Sequence, residues 1–296
     1  MTDAPITLGI DVGGTSVKIA ALRGRSIQWL AKGQYHLPNS QQILGAVTEA
    51  VAGRAQDVAA VGLCVPGVLD EARQRVEYSA NVPGLHGLEL RELAAAAAGA
   101  EVGDRVRIVN DTLATAVDVY VSRHCAGRLL VLALGTGVGA AVLDDGVPLK
   151  VDGDSPGHIG QIDVAVAGEK VVAPDGGAGG LEGYVGAAAL RKQYGSGPVA
   201  PKLRIDDPPM QALVRAIRIC HALYRPDHIV LAGGLGIRLG PLMNDLRDEI
   251  EYQLTSLARP GWTFSTGDTD HHAACGAARI AGNPEILIGA LRGQAI

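Results

Sequence analysis

The chain has 296 residues, 47% hydrophobic and 19% charged, which supports a folded core and argues against disorder. A net charge of −5 leaves no basic footprint for nucleic acid, although backbone N–H groups bind phosphate without lysine. Forty glycines exceed the average usage of about 7%, and with only 3% aromatics the core must be built from Val, Leu, Ile and Ala.

The first elements flank a Gly-Gly pair. In Leu8–Leu22, LGIDVGGTSVKIAAL, Ile6, Leu8 and Ile10 alternate with Thr7 and Gly9, and Val17, Ile19 and Ala21 alternate with Lys18 and Ala20. Period-two alternation on both sides of a glycine turn predicts a β-hairpin. Gly13 and Gly14 allow close approach of the backbone to a ligand, Thr15 adds a hydroxyl, and Asp11 offers a carboxylate able to hold Mg²⁺ through water. The same residues also serve a plain hairpin with an Asp at its turn.

Further along, Ser26–Tyr35 extends the sheet and Gln41–Gly53 has helical spacing at Ile43, Leu44, Val47 and Val51. Val58–Cys64 is an apolar strand, Glu89–Ala98 an Ala-rich helix, and Arg105–Val109 a strand running into Asn110-Asp111. Thr112–Tyr120 reads as a helix. Asn and Asp are favoured N-caps, so this pair reads first as a cap; a general base at a strand end is the second reading.

Leu129–Leu143, LLVLALGTGVGAAVL, repeats the plan of the first hairpin around Gly135, Thr136 and Gly137. Two such turns suit a polyphosphate held from both sides. Neither is a better-known phosphate motif. Thr15 stands where a P-loop needs Lys, and a strand rather than a helix follows Gly139. Lys192–Pro209, rich in Gly and Pro, reads as a surface excursion. Met210–Tyr224, Leu242–Leu257 and His272–Gly282 read as helices, with a strand and turn at Pro226–Ala232. His271-His272 is adjacent rather than at metal spacing and reads as solvated.

Cys64, Cys125, Cys220 and Cys275 are widely spaced with no C-x-x-C pair, so reduced, buried thiols in a cytoplasmic protein are expected. MTDAPITLGI has neither the basic nor the apolar region of a signal peptide, and no run approaches a membrane span.

DVGGT, LGTGVG and Ile229–Gly236, IVLAGGLG, resemble the two phosphate motifs and the adenosine motif of the actin/Hsp70/sugar-kinase superfamily, and within it the ROK family of glucokinase-like enzymes. The resemblance covers nearly the whole chain. It implies two similar mixed-sheet α/β domains with an interdomain cleft, an actin-like, ribonuclease H-like fold. The expected domains are 1–112, joined by a C-terminal helix at about 284–296, and 113–283. It implies ATP-dependent phosphorylation of a sugar hydroxyl with Asp111 as general base. Asn81, Asn110 and Glu182 would hold the sugar. Gly13, Gly14, Thr15, Lys18, Gly135, Thr136 and Gly137 would hold phosphates, with Asp11 near Mg²⁺ and Gly233 and Gly234 against the nucleotide. The expected partners are a small sugar and ATP, with no nucleic acid and no membrane, in a homodimer.

The departures are concentrated in one region. Family members carry Gly-Glu-x-Gly-His and then Cys-x-Cys-Gly-x-x-Gly-Cys-x-Glu, whose His and three Cys bind zinc. Here Gly157-His158-Ile159-Gly160-Gln161 and Ala173–Glu182 occupy those places. Gln161, Ala173, Asp175 and Gly180 replace all four ligands together, so a loop folded without zinc is expected. His158 replaces a sugar-binding Glu, and Gln161 a His that helps place the sugar, so the sugar pocket is altered. A non-catalytic sugar sensor is the alternative. The family's repressors carry a DNA-binding domain before the first hairpin, where this sequence has only a few residues.

Overall fold

The computed structural model describes residues 4–288 apart from 31–32, 36–37, 53–56, 67, 71–73, 80–81, 103–104, 152–154, 166–170, 174–175, 257 and 259. The chain runs through β1 (Ile6–Val12), β2 (Ser16–Arg23), β3 (Ser26–Trp29), β4 (Gly33–Gln34), α1 (Ser40–Val51), β5 (Val58–Cys64), β6 (Val68–Asp70), β7 (Arg75–Tyr78), α2 (Leu90–Ala98), β8 (Val106–Ile108) and α3 (Asp111–Ser122). It continues through β9 (Arg128–Leu134), β10 (Val138–Asp144), β11 (Val147–Pro148), α4 (Leu181–Val185), α5 (Ala187–Tyr194), α6 (Pro208–Tyr224), β12 (His228–Ala232), α7 (Gly233–Arg238), α8 (Met243–Gln253), β13 (Thr263–Thr266) and α9 (His272–Gly282).

Two compact units result, one ending at Arg123 and resuming at His271, the other spanning His124–Asp270. The first unit's sheet has the order β3-β2-β1-β5-β8, with β4 added beside β2. Within it β1 and β2 are antiparallel, while β1, β5 and β8 run parallel. The second sheet has the order β11-β10-β9-β12-β13, again an antiparallel hairpin followed by parallel neighbours. The duplication of plan that the two glycine hairpins implied therefore extends to strand order.

In the first unit, the alternation in β1 separates two kinds of face. Ile6, Leu8 and Ile10 share a core with Ile43 and Val47 of α1 and with Leu90 and Leu93 of α2. The intervening Gly9 meets α9. A Cβ on Gly9 would lie 1.8 Å from the Ala274 carbonyl oxygen, and one on Gly62 of β5 would lie 2.2 Å from that of Ala277. Glycine at both positions lets the helix backbone lie directly on the sheet. Gly276 does the same between helices, since its Cβ would fall 1.7 Å from the Ala114 oxygen of α3. The second unit packs Leu130, Leu132, Val142, Ile229 and Leu231 of its sheet with Met210, Leu213 and Ile217 of α6.

Four expectations are corrected. The first unit extends through α3 rather than stopping at 112, because α3 is packed against α9. The chain already returns to the first unit through 272–282; of the helix expected at about 284–296, residues 284–288 form a 3-10 turn and 289–296 lie outside the described residues. Residues 192–209 are not merely a surface excursion, since Ala200 and Leu203 are buried. His271 and His272 are buried too. His271 stacks on Trp29, with ring centroids 5.2 Å apart, and His272 Nδ1 lies 2.7 Å from Asp118 Oδ2. Arg279 Nε donates to the other Asp118 oxygen at 2.8 Å, so one buried carboxylate of α3 ties both ends of α9. Among the described residues, no helix is long and apolar enough to cross a membrane.

Candidate active site

The parallel strands β1, β5 and β8 end on one edge of the first sheet, where open α/β sheets place their ligands. Asp11 lies at that end of β1, paired in register with Lys18 of β2 and with Cys64 of β5. Lys18 Nζ donates to Asp11 Oδ2 at 3.0 Å. Cys64 is fully buried; burial, followed by the charges of Asp11 and Asp111, pushes its thiol well up. It is therefore a protonated neighbour of the two carboxylates rather than a nucleophile.

Asn110 and Asp111 follow β8. The Asn110 side-chain oxygen accepts from the N–H groups of Thr112 and Leu113, each at 3.0 Å, and so caps α3. That occupies the oxygen and leaves the amide N–H₂ to face a ligand. Asp111 is the first residue of the helix and is exposed as a residue. Oδ1 accepts from the Thr112 N–H at 2.7 Å and from its hydroxyl at 3.2 Å. Even so, its proton affinity is raised above the ordinary aspartate value, first by the density of surrounding protein and then by Asp11, against those hydrogen bonds and Lys18. The residue as a whole is exposed, while the surrounding protein desolvates its carboxyl group.

The turn Gly13-Gly14-Thr15 joins β1 to β2. Gly13 N–H closes it on the Ser16 oxygen at 2.9 Å. Tyr35 holds it from outside, its hydroxyl donating to the Gly13 oxygen at 2.7 Å and its N–H to the Thr15 oxygen at 3.0 Å. Tyr35 is absent from the candidates named from the sequence, because it lies 22 residues from Gly13 and belongs to no motif.

In the second unit, Gly135 N–H bonds the Gly137 oxygen at 3.0 Å, and Ala187 N–H, at the start of α5, bonds the oxygens of Gly135 and Thr136 at 3.1 and 3.3 Å. Glu182 of α4 is built into this turn: Oε2 accepts from Val138 N–H at 3.0 Å. A Cβ on Gly137 or Gly160 would lie 2.9 or 3.3 Å from that oxygen. Gly160 belongs to the 3-10 turn Ile159–Gln161, which His158 precedes, and both His158 and Gln161 are exposed. The second unit thus joins the phosphate-motif turn, Glu182 and the His158–Gln161 segment. Asp11, Lys18, Asn110 and Asp111 join in the first unit. Asn81 lies outside the described residues.

After β12, Gly233 adopts φ +76°, and a Cβ there would sit 2.5 Å from the Leu134 oxygen of β9. Gly233-Gly234 starts α7, where the sequence implied only a turn. The loop in place of the cysteine motif is organised by backbone bonds: Ala173 N–H to Gly177 oxygen at 2.8 Å, Gly179 N–H to Val171 oxygen at 2.7 Å and Val164 N–H to Gly179 oxygen at 2.9 Å. Among the described residues, no group of three or more His, Cys, Asp or Glu side chains is placed to hold a metal ion.

An N-acetyl-D-glucosamine kinase of Escherichia coli K12 is 28% identical over 281 residues, an alignment spanning 85% of this chain and 91% of that protein. A ROK family glucokinase from Streptomyces griseus, solved with glucose and AMPPNP, superposes with a TM-score of 0.71 at 20% identity, over 94% of this chain and 99% of that one. A ROK family transcriptional regulator homologous to the E. coli MLC protein superposes with a TM-score of 0.69 at 18% identity, over 97% of this chain and 81% of that one. These superpositions establish the actin-like α/β fold of the ROK sugar kinases. The ROK family model matches residues 7–283, from the first hairpin through α9, and this chain belongs to the ROK family.

Proposed function

We propose that this protein is a sugar kinase that transfers the terminal phosphoryl group of ATP to a sugar hydroxyl, with Asp111 as general base. The observation that carries the reading is Asp111: an exposed residue at the first turn of α3, beyond the ends of three parallel strands, with its proton affinity raised. A carboxylate there takes the hydroxyl proton as the sugar oxygen bonds to the terminal phosphorus. The bond from that phosphorus to its bridging oxygen breaks, and ADP leaves with the electron pair. The helix N-terminus and Thr112 hold the carboxylate in place while it waits.

Asn110, Glu182 and Asn81 are the sugar contacts in this reading, with His158 and Gln161 as substitutes on the altered side. Glu182 has one oxygen committed to Val138, which leaves the other for a hydroxyl. The turns at Gly13–Thr15 and Gly135–Gly137 receive phosphates, and Gly233-Gly234 lies against the nucleoside. The donor set suits Mg²⁺. Asp11 keeps Oδ1 beyond its ion pair with Lys18, and Mg²⁺ is commonly held by one or two carboxylates, waters and substrate phosphates rather than by a protein cage. Bound there, it would neutralise charge on the phosphates. The reading includes no structural zinc: elemental analysis of the purified, tag-free chain is expected to find none, and a dialysis-resistant zinc per chain would contradict it.

The test is ADP release by the full chain with Mg²⁺ and ATP across a panel of hexoses and N-acetylated amino sugars. Turnover with at least one sugar is expected, and weak turnover on glucose, because a polar site rejects a sugar that leaves its groups unpaired. No turnover with any sugar, together with tight sugar binding in the absence of nucleotide, would replace the enzyme with a sensor.

A further inference from the structure

We propose that Tyr35 is a positioning residue that aims the first phosphate turn at the nucleotide; this rests on the kinase reading above. The argument starts from the peptide plane. In a trans peptide the C=O and the following N–H point in opposite directions. Tyr35 Oη holds the Gly13 carbonyl at 2.7 Å, so the Gly14 N–H, in the same plane, is turned away from Tyr35. The Tyr35 N–H also holds the Thr15 carbonyl at 3.0 Å, which pins the far end of the turn where β2 begins. Among the described residues, the N–H groups of Gly14 and Thr15 and the Thr15 hydroxyl have no hydrogen-bond partner. The carbonyls of Gly13 and Thr15 are therefore engaged while the donors of Gly14 and Thr15 stay open, an arrangement that suits an anion.

A lock is needed here because of the glycines. With Gly at both 13 and 14, the intervening peptide lacks the side-chain hindrance that would otherwise fix its orientation. The second turn solves the same problem with backbone, through Ala187 N–H on the carbonyls of Gly135 and Thr136. Among the described residues the first turn has no helix N–H on its carbonyls, and a phenol holds Gly13 instead. Burial and the nearby charge of Asp11 push the Tyr35 hydroxyl up, so it stays a donor throughout the working pH range.

The experiment is Tyr35→Phe in the full chain, which keeps the ring and the backbone bond and removes one hydrogen bond. AMPPNP and adenosine are titrated by calorimetry, and KM for ATP and for the sugar and the melting temperature are measured alongside. AMPPNP affinity and KM for ATP are expected to weaken by roughly 2–10-fold, the range of one hydrogen bond. Adenosine affinity and KM for sugar are expected to stay at wild-type values, with the melting temperature lower by no more than about 2–4 °C. Wild-type AMPPNP affinity in the variant would overturn the proposal and leave the kinase reading standing. Parallel losses in AMPPNP, adenosine, sugar and melting temperature would show a structural role instead. A wild-type chain that binds neither AMPPNP nor adenosine would overturn the kinase reading and this proposal with it.

Discussion

Asp111 sits in a position with competing demands. A helix start stabilises its charge, while Asp11 and the surrounding protein oppose it, and the opposition wins. Between the ordinary aspartate value of about 3.9 and the raised value, the native state binds more protons than the unfolded chain. Stability therefore falls as pH rises through that window and is level above it: the ionised base works against the fold. Asp111→Asn keeps the Asn110 cap and discards the charge. At pH 7 its turnover is expected to drop by about 10²–10⁴-fold with a melting temperature no lower than wild type, read by steady-state kinetics and thermal unfolding. With Asp111 as the proposed base, the acidic limb of the kcat/KM profile is expected above the pH where an unperturbed aspartate would put it. Asn110-Asp111 was legible because a motif places it in a strand-to-helix junction. Tyr35 and His272 were not. Their significance lies in partners 22 and 154 residues away, and nothing local to YHL or TDHH indicates them. An adjacent His pair beside Asp residues looks solvated until the opposing helix is in place.

Among the elements, α9 carries the most structural information. Its sequence, HAACGAARIAG, is small on every side, and three glycines around it, Gly9, Gly62 and Gly276, remove the remaining clearance. The glycine excess was readable as composition, but not that these three glycines serve close packing. Small residues give α9 little apolar surface per contact, so its attachment depends more than usual on Asp118. That carboxylate is buried between His272 and Arg279. Removing one member of such a network strands the others, and Asp118→Ala is expected to cost about 3–5 kcal/mol in denaturant unfolding, with the loss confined to the first unit. The helical spacing of α1 was read from apolar periodicity because one of its faces is buried, and α2, α3 and α6 were also read as helices. The short α7 was missed because Gly-Gly at its start argues locally for a turn.

At the scale of the molecule, two sheets with matching strand order follow from two matching hairpins. That much could be foreseen, since each hairpin and the parallel strands beside it are local runs of apolar residues. The limits of the units could not, because what assigns α3 to the first unit is its packing on a helix encoded some 150 residues later, for which a linear reading has no signal. This arrangement bears on how the protein is made. A ribosome delivers the chain from residue 1, so the first sheet leaves the exit tunnel with Gly9 and Gly62 uncovered and Asp118 unpaired. It stays that way until codons 272–282 have been read. The second unit, continuous in sequence, is complete by residue 270. Folding is therefore expected to run against gene order, the later-encoded unit first. A chain stopped after Asp270 checks this: limited proteolysis with mass spectrometry is expected to preserve 124–270 and to digest 1–123. Equal protection of both segments would show that the first sheet holds without α9. During the interval before α9 is made, the exposed sheet is the species that a nascent-chain chaperone would meet.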